Sequence, residues 1–585
     1  MDDLTRRQFV ASSAAAALGV VTDRSAHAAR KRRTSPAKDD GQIQLEAAIR
    51  ETVLDGHRVR LRAYNGQIPG PTITVTPGQT LRIRLKNSLP RYDSSAWDGN
   101  HNVPHGLDHT NLHLHGMDVL PHLFDPLGTS DPLARMIEIP PGEHYDYVFE
   151  IPRDHPPGFN WYHPHKHGST AVQAVSGMAG GLIVKGAIDE VPEIQAARSI
   201  PLVIQDIGLF PSENDPNLWT YEPVQNAIWQ TFGGYVTING KRTSLRGGFT
   251  TGDYKLRYYL LNGEPFFKET HNDKPNESIK PIGTQLPVRR FTLAPGEVVR
   301  FRMLNGTSDN LMPIVVDGHD VHLVAMDGIN FPQVRTALAN EYDKANGQIL
   351  LASGNRADFL IKANAKRGIY RIRQLTQSRQ FLNSDQKVIA EIEVRGPAKS
   401  MGLPDKLPTP SREYPLIKPE EVSRIRNIVF SGRIPGIVNT VVGADFLINN
   451  AIYNEREIPT VVNLNSAEEW HLSLADTHHG GIEGHPFHIH VNSFEVISVG
   501  GVKQPPGLIQ DTVWVPVNKP VVVRMRFKQY VGKAVYHCHI LPHEDIGMMQ
   551  IFLIVDPKKG NSGHQTPAAT HRKGPNNASD KFIYR

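Results

Sequence analysis

The sequence lacks the features that mark a disulfide-stabilised or membrane-spanning protein. Its 585 residues contain one cysteine, Cys538, so an intramolecular disulfide is impossible. The apolar run from Ala11 to Val21 is too short to cross a bilayer, and no later run is long enough. A chain of this length buries large cores without disulfides. These absences predict a globular chain without stable membrane insertion, whose lone thiol is protected, for example as a metal ligand.

The N-terminus has the pattern of an export signal. A twin arginine, Arg6-Arg7, precedes the apolar run, and Ala26-His27-Ala28 supplies small residues for cleavage. We therefore predict a twin-arginine signal peptide in residues 1–28, which the twin-arginine export machinery recognises. The mature protein is then exported and either periplasmic or secreted. The alternative is a disordered, alanine-rich N-terminus with a chance pair of arginines.

The positive net charge is confined to the ends of the chain. The formal charge is +5, but residues 29–40 carry +3 and residues 558–585 carry +5, which leaves −3 for residues 41–557. Basic tails can bind nucleic acid. Here they flank a mildly acidic body, and their Ser-, Pro-, Lys-, Ala- and Asn-rich composition has little to bury. We predict that both are disordered and that nucleic acid is not a partner.

Strand patterns recur three times along the chain. Thr80 to Lys86 alternates apolar and polar residues after a Pro-Gly turn, and similar patterns follow at 295–305 and, more loosely, at 520–527. Strands with frequent Gly and Pro turns predict an all-β chain of three homologous Greek-key sandwiches or barrels. The predicted boundaries are 41–186 for the first domain, 187–400 for the second, 401–419 for a Pro-rich linker and 420–557 for the third.

The most informative stretch surrounds the single cysteine. Cys538 lies between His537 and His539, with His543 five positions on and Met548 ten positions on. Thiolate, imidazole and thioether together form the ligand set of a blue-copper electron-transfer site. On a strand, side chains alternate faces, so Cys538 would point one way and its two histidine neighbours the other. The stretch predicts one strand that serves two metal sites. The alternative is a buried free cysteine among incidental histidines.

Three further stretches contain histidines two positions apart. On a strand such a pair shares a face and can reach a common metal cluster. One pair is weak support, whereas four stretches, one of them around the only cysteine, favour a metal site over chance. The three stretches are His113-Leu114-His115, His163-Pro164-His165 and His485-Pro486-Phe487-His488-Ile489-His490.

The four stretches resemble the copper-binding signatures of the multicopper oxidases, the family that includes the laccases. The resemblance extends to Tyr64–Ile73, which is similar to the family's opening strand, and to Gly158–Tyr162, which leads into the second signature. It covers the chain from about residue 41 to residue 556. The resemblance implies three cupredoxin-like Greek-key β-sandwich domains and a copper-dependent oxidoreductase with O2 as acceptor.

The resemblance also implies four copper ions, one of type 1, one of type 2 and a binuclear type 3 pair. Two histidine stretches come from the first domain and two from the third, so the trinuclear cluster should lie between those domains, with the second as a bridge. Position in the motifs assigns His485, Cys538, His543 and axial Met548 to type 1, His113 and His488 to type 2, and His115, His163, His165, His490, His537 and His539 to type 3.

Two acids are candidates for a proton relay. Asp125 lies beyond the first signature, where related enzymes often keep an acid near the type 2 copper. Glu544 directly follows a type 1 ligand, and an acid there is linked to proton delivery in similar bacterial enzymes. For each, the alternative is a solvated surface carboxylate. Nearby histidines such as His122 and His167 are interpreted as structural or solvent-facing groups.

The reductant is the feature that the sequence determines least. The chain has 11 methionines without a Met-rich segment, and no obvious acid cluster for ferrous iron. By elimination we expect a laccase-like oxidase of phenols or aromatic amines, which react at a solvent-facing imidazole edge of His543 or His485. The alternative is a periplasmic metallo-oxidase of Cu(I) or Mn(II). A non-catalytic copper carrier needs no paired histidines, and a copper nitrite reductase lacks a cysteine flanked by two cluster histidines.

Overall fold

The structure is a computed structural model. The predicted signal peptide, the basic segment 29–40 and the tail beyond residue 558 lie outside the described residues. The structure describes residues 41–92, 104–212, 214–221, 235–238, 241–246, 254–270, 282–339, 347–379, 382–410, 416–433, 442–443, 445–475 and 484–558.

Strands dominate all three predicted domains, and the helices among the described residues are single turns. In 41–190 the elements are β1 (Gln42–Leu54), β2 (His57–Tyr64), β3 (Gly70–Val75), β4 (Thr80–Asn87), β5 (His113–His115), β6 (His144–Glu150), β7 (Gly158–His163), α1 (Thr170–Ala174), β8 (Gly180–Val184) and a 3-10 turn (Ala187–Glu190).

The middle part of the chain, 191–400, has the largest number of strands. Its elements are α2 (Pro192–Ala196), β9 (Arg198–Pro211), β10 (Leu218–Thr220), β11 (Tyr235–Ile238), β12 (Lys241–Arg246), β13 (Leu256–Leu261), β14 (Glu264–Thr270), β15 (Ile282–Gln285), β16 (Arg289–Leu293), β17 (Val298–Asn305), β18 (Met312–Val316), β19 (Val321–Met326), β20 (Ile329–Ala337), β21 (Ile349–Leu351), β22 (Arg356–Lys362), β23 (Gly368–Gln374), β24 (Gln377–Arg379), β25 (Leu382–Ser384) and β26 (Lys387–Val394).

The C-terminal part holds the cysteine strand. Its elements are a 3-10 turn (Pro419–Glu421), β27 (Val422–Arg433), β28 (Val442–Gly443), β29 (Asp445–Ile448), β30 (Thr460–Asn463), β31 (Ala467–Leu474), β32 (His485–Ile489), β33 (Phe494–Val499), β34 (Val502–Lys503), β35 (Ile509–Gln510), β36 (Thr512–Val515), β37 (Val521–Arg526), β38 (Gly532–Cys538), α3 (Leu541–Asp545) and β39 (Met549–Val555).

The three recurring sequence patterns all form strands. In β4 and β37 buried and more exposed residues alternate, as expected for strands with one face on a core. Strand β17 is buried at every position instead. It lies between β9 and β22 inside a large sheet that also contains β1, β2, β4 and β6. A central strand covered on both faces has no exposed side, which is why its alternation does not translate into alternating burial.

Two sheets share the core of the C-terminal part. One sheet runs in the order β29-β27-β31-β37-β33-β34, and the other runs in the order β30-β39-β38-β32-β36. Trp470 and Val523 from the first sheet and Phe487 and Tyr536 from the second belong to one buried cluster. This arrangement is a β-sandwich. In the middle part, a second buried cluster joins β17 and β22 to β18, β23 and β26 in the same way.

The cysteine stretch is a strand only as far as Cys538. The chain then turns, and α3 begins with Pro542 in its first turn. Proline lacks a backbone N–H and has a fixed φ, so it fits the start of a helix and ends strand pairing. His543 therefore lies on a helical turn that brings it back towards Cys538.

The all-β prediction is confirmed, whereas the domain boundaries stay a prediction. Within the described ranges, every helix is too short, or too polar, to span a bilayer. The polar stretch from Asn262 to Lys280 forms β14 as far as Thr270, and the rest of it lies outside the described residues.

The middle core is expected to be sensitive to loss of packing at Phe301. This side chain is fully buried on β17, and its ring centroid lies 5.5 Å from that of Phe291 and 5.7 Å from that of Phe359. Phe301→Ala should lower the free energy of unfolding by about 3–5 kcal/mol, because the cavity adds to the lost apolar transfer. The measurement is urea unfolding of metal-free protein, which avoids stabilisation by bound metal.

Val53→Ala is the control, because Val53 is 59% exposed on β1. Its effect should stay within about 0.5 kcal/mol. Equal losses in the two variants would contradict the packing described for the middle core.

Candidate metal centre

The structure brings the eight histidines of the paired motifs together in one buried centre. Their ligand nitrogens form three groups within which all atoms lie within 4.8 Å of one another. All eight side chains are buried. We refer to them as the histidine cluster. The groups are His113, His115 and His488; His115, His163 and His539; and His165, His490 and His537.

Strand register explains how the motifs meet. In the first domain β5 pairs with β7, so that His113 lies opposite His163. In the third domain β32 pairs with β38, so that His488 lies opposite His537. Directly opposed residues share a face of the sheet, which places each histidine pair beside another pair. The cluster thus draws four histidines from each of two parts of the chain that are separated by some 300 residues.

Alternation along β38 separates two sites, as the sequence predicted. Ala534, Tyr536 and Cys538 face the sandwich core of the third domain. Val535 packs instead against residues of the 123–136 loop, and His537 lies in the histidine cluster. Strand β32 alternates in the same manner, with Phe487 in the core and His488 in the cluster.

Hydrogen bonds at Nδ1 aim the other ring nitrogen of several cluster histidines at the centre. His163 Nδ1 lies 2.8 Å from the Pro164 carbonyl, His488 Nδ1 lies 2.8 Å from the Asp511 carbonyl, and His537 Nδ1 lies 2.9 Å from the Cys538 carbonyl. A carbonyl only accepts, so each Nδ1 carries the proton and each Nε2 keeps its lone pair. Among the described residues, the buried Nε2 atoms of His163 and His488 have no hydrogen-bond partner.

The third group shows most directly that the cluster suits a cation. His537 Nε2 lies 3.1 Å from His165 Nε2 and 3.2 Å from His490 Nε2. Burial, reinforced by the neighbouring imidazoles, lowers the pKa of all three histidines well below its ordinary value. The rings are therefore neutral, and neutral imidazole is the form that binds metal. Converging lone pairs without a proton between them repel each other unless a metal ion lies among them.

His122 supports the cluster, although the sequence analysis had interpreted it as structural. Its Nε2 accepts the N–H of Leu114 at 3.0 Å and lies 3.2 Å from His113 Nδ1, while its Nδ1 is 3.1 Å from the Leu120 carbonyl. This chain of contacts places a proton on His113 Nδ1 and leaves its Nε2 free for a metal. Burial lowers the pKa of His122 to about 4, so it acts as a neutral acceptor.

A second buried site surrounds the cysteine. Cys538 Sγ lies 3.4 Å from His485 Nδ1 and 3.9 Å from His543 Nδ1, and these two nitrogens are 3.3 Å apart. Met548 is fully buried in the same core, and its carbonyl accepts the N–H of Cys538 at 3.0 Å. One thiolate and two imidazoles beside a methionine are the donor set of a blue-copper site.

The imidazole edges of this second site are covered. His485 and His543 are each 1% exposed, whereas the sequence analysis expected one of them to face solvent. The Phe446 ring lies flat on His543 with centroids 3.9 Å apart, and Phe430 stacks on His485 at 5.7 Å. Phenylalanine rings on both histidines explain the difference. An electron donor at the surface therefore meets the covering side chains before either imidazole.

The structure brings one of the two predicted acids to the cluster. Glu544 is fully buried on α3, with carboxylate oxygens 3.3 Å from His165 Nδ1 and 3.2 Å from His537 Nδ1. Burial raises its pKa well above the usual range, and the neighbouring Asp545 adds to this shift. Asp125 lies at the surface instead, where it accepts a hydrogen bond from the Tyr145 hydroxyl at 2.7 Å.

The acid beside the type 2 motif histidines is Asp511, which the sequence analysis missed. Its Oδ1 lies 3.1 Å from His115 Nε2, and its carbonyl oxygen accepts from His488. The neighbouring Thr512 hydroxyl lies 3.1 Å from His488 Nδ1. Asp511 belongs to no histidine motif, so only its place directly before a short strand near the third signature could have drawn attention to it.

Sequence profiles described as multicopper oxidase match most of the chain. They cover residues 47–109 with 105–188, 234–391 and 425–558. A multicopper oxidase mco of Staphylococcus haemolyticus is 24% identical over 83% of this chain and 82% of its own. A laccase of Bacillus stratosphericus is 23% identical over 88% of this chain and 95% of its own.

The fold has close counterparts among solved structures. A multicopper oxidase from Campylobacter jejuni, described as a metallo-oxidase, superposes with a TM-score of 0.61. It is 23% identical, and the alignment covers 88% of this chain and 92% of that chain. This likeness confirms the predicted fold class of cupredoxin-like β-sandwich domains.

The cysteine site should carry the colour of the copper-loaded protein. Cys538→Ser should abolish the intense blue absorption and the oxidase activity, because no other soft ligand lies in that pocket. The histidine cluster should still bind copper, so metal analysis should fall from about four coppers per chain to about three. The measurements are the visible spectrum and the copper content of the purified variant. A variant that stays blue would show that another residue ligates the metal.

Proposed function

Because the chain belongs to the multicopper oxidase family and is thus a copper-dependent oxidoreductase with O2 as acceptor, we propose that it acts as a laccase. Its reductants are then small phenols or aromatic amines. We further propose that it holds four copper ions, with the type 1, type 2 and type 3 ligands assigned by the motifs, and that it is exported after removal of residues 1–28. The grouping of the histidines into the three sets supports the ligand assignment.

Copper at these two sites supplies one-electron oxidation of the reductant at the cysteine site and four-electron reduction of O2 to two waters at the histidine cluster. The protein joins the sites through covalent bonds. Cys538 is bonded directly to His537 and His539, which belong to two different groups of the histidine cluster. The alternating faces of β38 thus provide a path of one residue from the thiolate to each side of the cluster.

Reduction of O2 to water consumes four protons, and Glu544 is placed to deliver them. Its carboxyl group lies against His165 and His537 and is linked to the Thr170 hydroxyl at 3.4 Å. Asp545 follows directly, and its carboxylate accepts the N–H groups of Gly168 and Ala171, each at 2.7 Å. Burial raises the pKa of Asp545 to about 7, so two adjacent acids share protons near neutral pH.

The proposal of an organic reductant depends on the cover of the cysteine site. Phe446 lies over His543, so the nearest surface available to a donor is an aromatic ring. An aromatic donor stacks on such a ring, whereas a metal ion needs oxygen, nitrogen or sulfur ligands. The paucity of methionine and the likeness to a laccase are consistent with this proposal.

The alternative is oxidation of Cu(I) or Mn(II). The observation that favours it is the likeness to the Campylobacter jejuni enzyme, whose description is that of a metallo-oxidase. Both functions use the same ligands, so the alternatives differ only in what donates electrons at the cysteine site.

Glu544→Gln should slow the oxygen side of the reaction. The amide cannot release a proton, so we expect kcat to fall about 100-fold or more. The rate at which a phenol bleaches the blue colour under anaerobic conditions should not change, because that step needs no proton at the cluster. Stopped-flow absorbance measures both the bleaching and the return of colour on mixing with O2.

Asp125→Asn is the matched control, because Asp125 lies at the surface and is bonded to Tyr145. Its two rates should equal those of the parent protein. If Glu544→Gln recovers its colour with O2 as fast as the parent, Glu544 is not the proton donor.

The reductant class is tested by oxygen uptake with a dimethoxyphenol, an aromatic diamine, Cu(I) and Mn(II) offered in parallel to the fully loaded enzyme. We expect a kcat/KM for the phenol or amine that exceeds those for both metal ions at least tenfold. Cys538→Ser corrects for non-enzymatic oxidation. A kcat/KM for Cu(I) or Mn(II) above that of every organic donor would replace the laccase proposal with the metallo-oxidase one.

A further inference from the structure

The middle part of the chain supplies none of the predicted ligands, yet one of its side chains reaches the histidine cluster. Arg356 is the first residue of β22 and is completely buried. Gly354, two residues earlier, lies so close that an added Cβ would stand 2.9 Å from His539 Cδ2 and 3.0 Å from His115 Cε1. The segment 354–356 therefore forms a wall of the centre.

Arg356 holds the carboxylate of Asp511 with both arms of its guanidinium. Nη1 donates to Oδ1 at 2.9 Å, and Nη2 donates to Oδ2 at 2.7 Å. This paired geometry fixes the plane as well as the position of the carboxylate. Burial alone would raise the pKa of Asp511, but the Arg356 guanidinium keeps it well below its usual range. Asp511 is therefore a carboxylate, which accepts and does not donate.

The same guanidinium also binds the first domain. Nη2 donates to Asn160 Oδ1 at 2.9 Å, and Nε donates to the Phe159 carbonyl at 3.2 Å. Gly116, which directly follows the first histidine pair, has a φ of +82° and lies against Arg356. A Cβ at Gly116 would collide with the guanidinium. The first motif thus leaves room for an arginine from another domain.

The carboxylate that Arg356 holds decides which nitrogen His115 presents. Asp511 Oδ1 is an acceptor 3.1 Å from His115 Nε2, so Nε2 carries the proton and donates it. His115 Nδ1 is then the free nitrogen, and it lies 3.3 Å from His539 Nε2. The hydrogen bonds of His113, His163, His488 and His537 instead free Nε2. His115 meets the cluster the opposite way round.

A neighbouring acid holds the backbone of the same segment. Asp327 Oδ2 accepts the N–H groups of Asp511 at 3.2 Å and Thr512 at 3.3 Å, and Asp327 Oδ1 accepts the N–H of Arg356 at 2.9 Å. The Asp511 carbonyl is the acceptor of His488 Nδ1. One network thus sets both His115 and His488.

We propose that Arg356 is a positioning residue for the type 2 end of the cluster, acting through Asp511 to fix the ring orientation of His115 and the backbone that orients His488. The proposal rests on the proposed ligand assignment of these two histidines. It gives the middle domain a direct part in the metal centre, in addition to bridging its neighbours.

The test compares Arg356→Lys with Arg300→Lys in fully loaded protein. Lysine keeps the positive charge but offers one point of contact in place of two parallel hydrogen bonds. Arg300 is an equally buried arginine, 2% exposed, whose Nη2 donates to Asp358 at 2.6 Å. Its ion-pair partners, Asp189 and Asp358, are not predicted ligands. Electron paramagnetic resonance then separates the type 2 signal from the type 1 signal, and release of copper to a chelator gives its retention.

We expect Arg356→Lys to alter the type 2 signal and to speed loss of type 2 copper about 10–100-fold, as is usual when a group supporting a metal ligand is changed. The type 1 signal and the blue colour should not change. Arg300→Lys should leave both signals as in the parent. Asp511→Asn should reproduce the Arg356→Lys change, and the double variant should add little, because both changes break the same contact.

Several results would overturn the proposal. One is an unchanged type 2 signal in Arg356→Lys, another is the same signal change in Arg300→Lys, and a third is full additivity in the double variant. If Arg356→Lys does not fold, Asp511→Asn decides alone, and an unaltered type 2 signal there counts against the proposal. Failure of the proposed function is a different result, because the parent protein would then show no type 2 signal.

Discussion

The structure is built around the burial of neutral imidazoles that face one another. Eight histidine side chains leave water for a site in which their lone pairs converge to within about 3 Å, as between His165 and His537. Such an arrangement is unfavourable unless a cation occupies it, so metal binding and the packed state of the centre stabilise each other. Each ring is also tied at its second nitrogen, to a carbonyl, a carboxylate or another histidine. These ties keep the lone pairs directed inward and so reduce the reorganisation needed when metal binds.

Much of this arrangement could be predicted from the sequence because it follows from the period of a strand. Histidines two apart share a face, and Cys538 lies on the face opposite to His537, so spacing alone separates the two sites. The all-β class followed from alternation and turns in the same way. The helical turn that returns His543 to Cys538 was not predicted, although Pro542 is the residue that starts it. A period-two pattern contains no information about where a strand ends.

The rest of the site depends on contacts between residues far apart in the sequence. Asp511 and Arg356 are 155 residues apart, and neither lies in a histidine motif, so no local pattern marks them as a pair. Asp125 was predicted because of its place after the first signature, but its loop carries it to the surface. The covered edges of His485 and His543 also depend on Phe430 and Phe446, which come from other strands. Spacing predicts which residues share a face, whereas burial and acid placement depend on which chain segments dock.

The two sites differ in how much of the chain must be assembled before each exists. Cys538, His485, His543 and Met548 all lie within the sandwich of the third domain. The histidine cluster has no complete group until β5 and β7 of the first domain lie against β32 and β38. Maturation therefore has an order: a folded third domain can take up its copper alone, and the cluster can be filled only after docking. A chain in which docking fails would be blue but unable to respire oxygen, so its colour reports the folding of one domain and its activity reports the assembly of the whole.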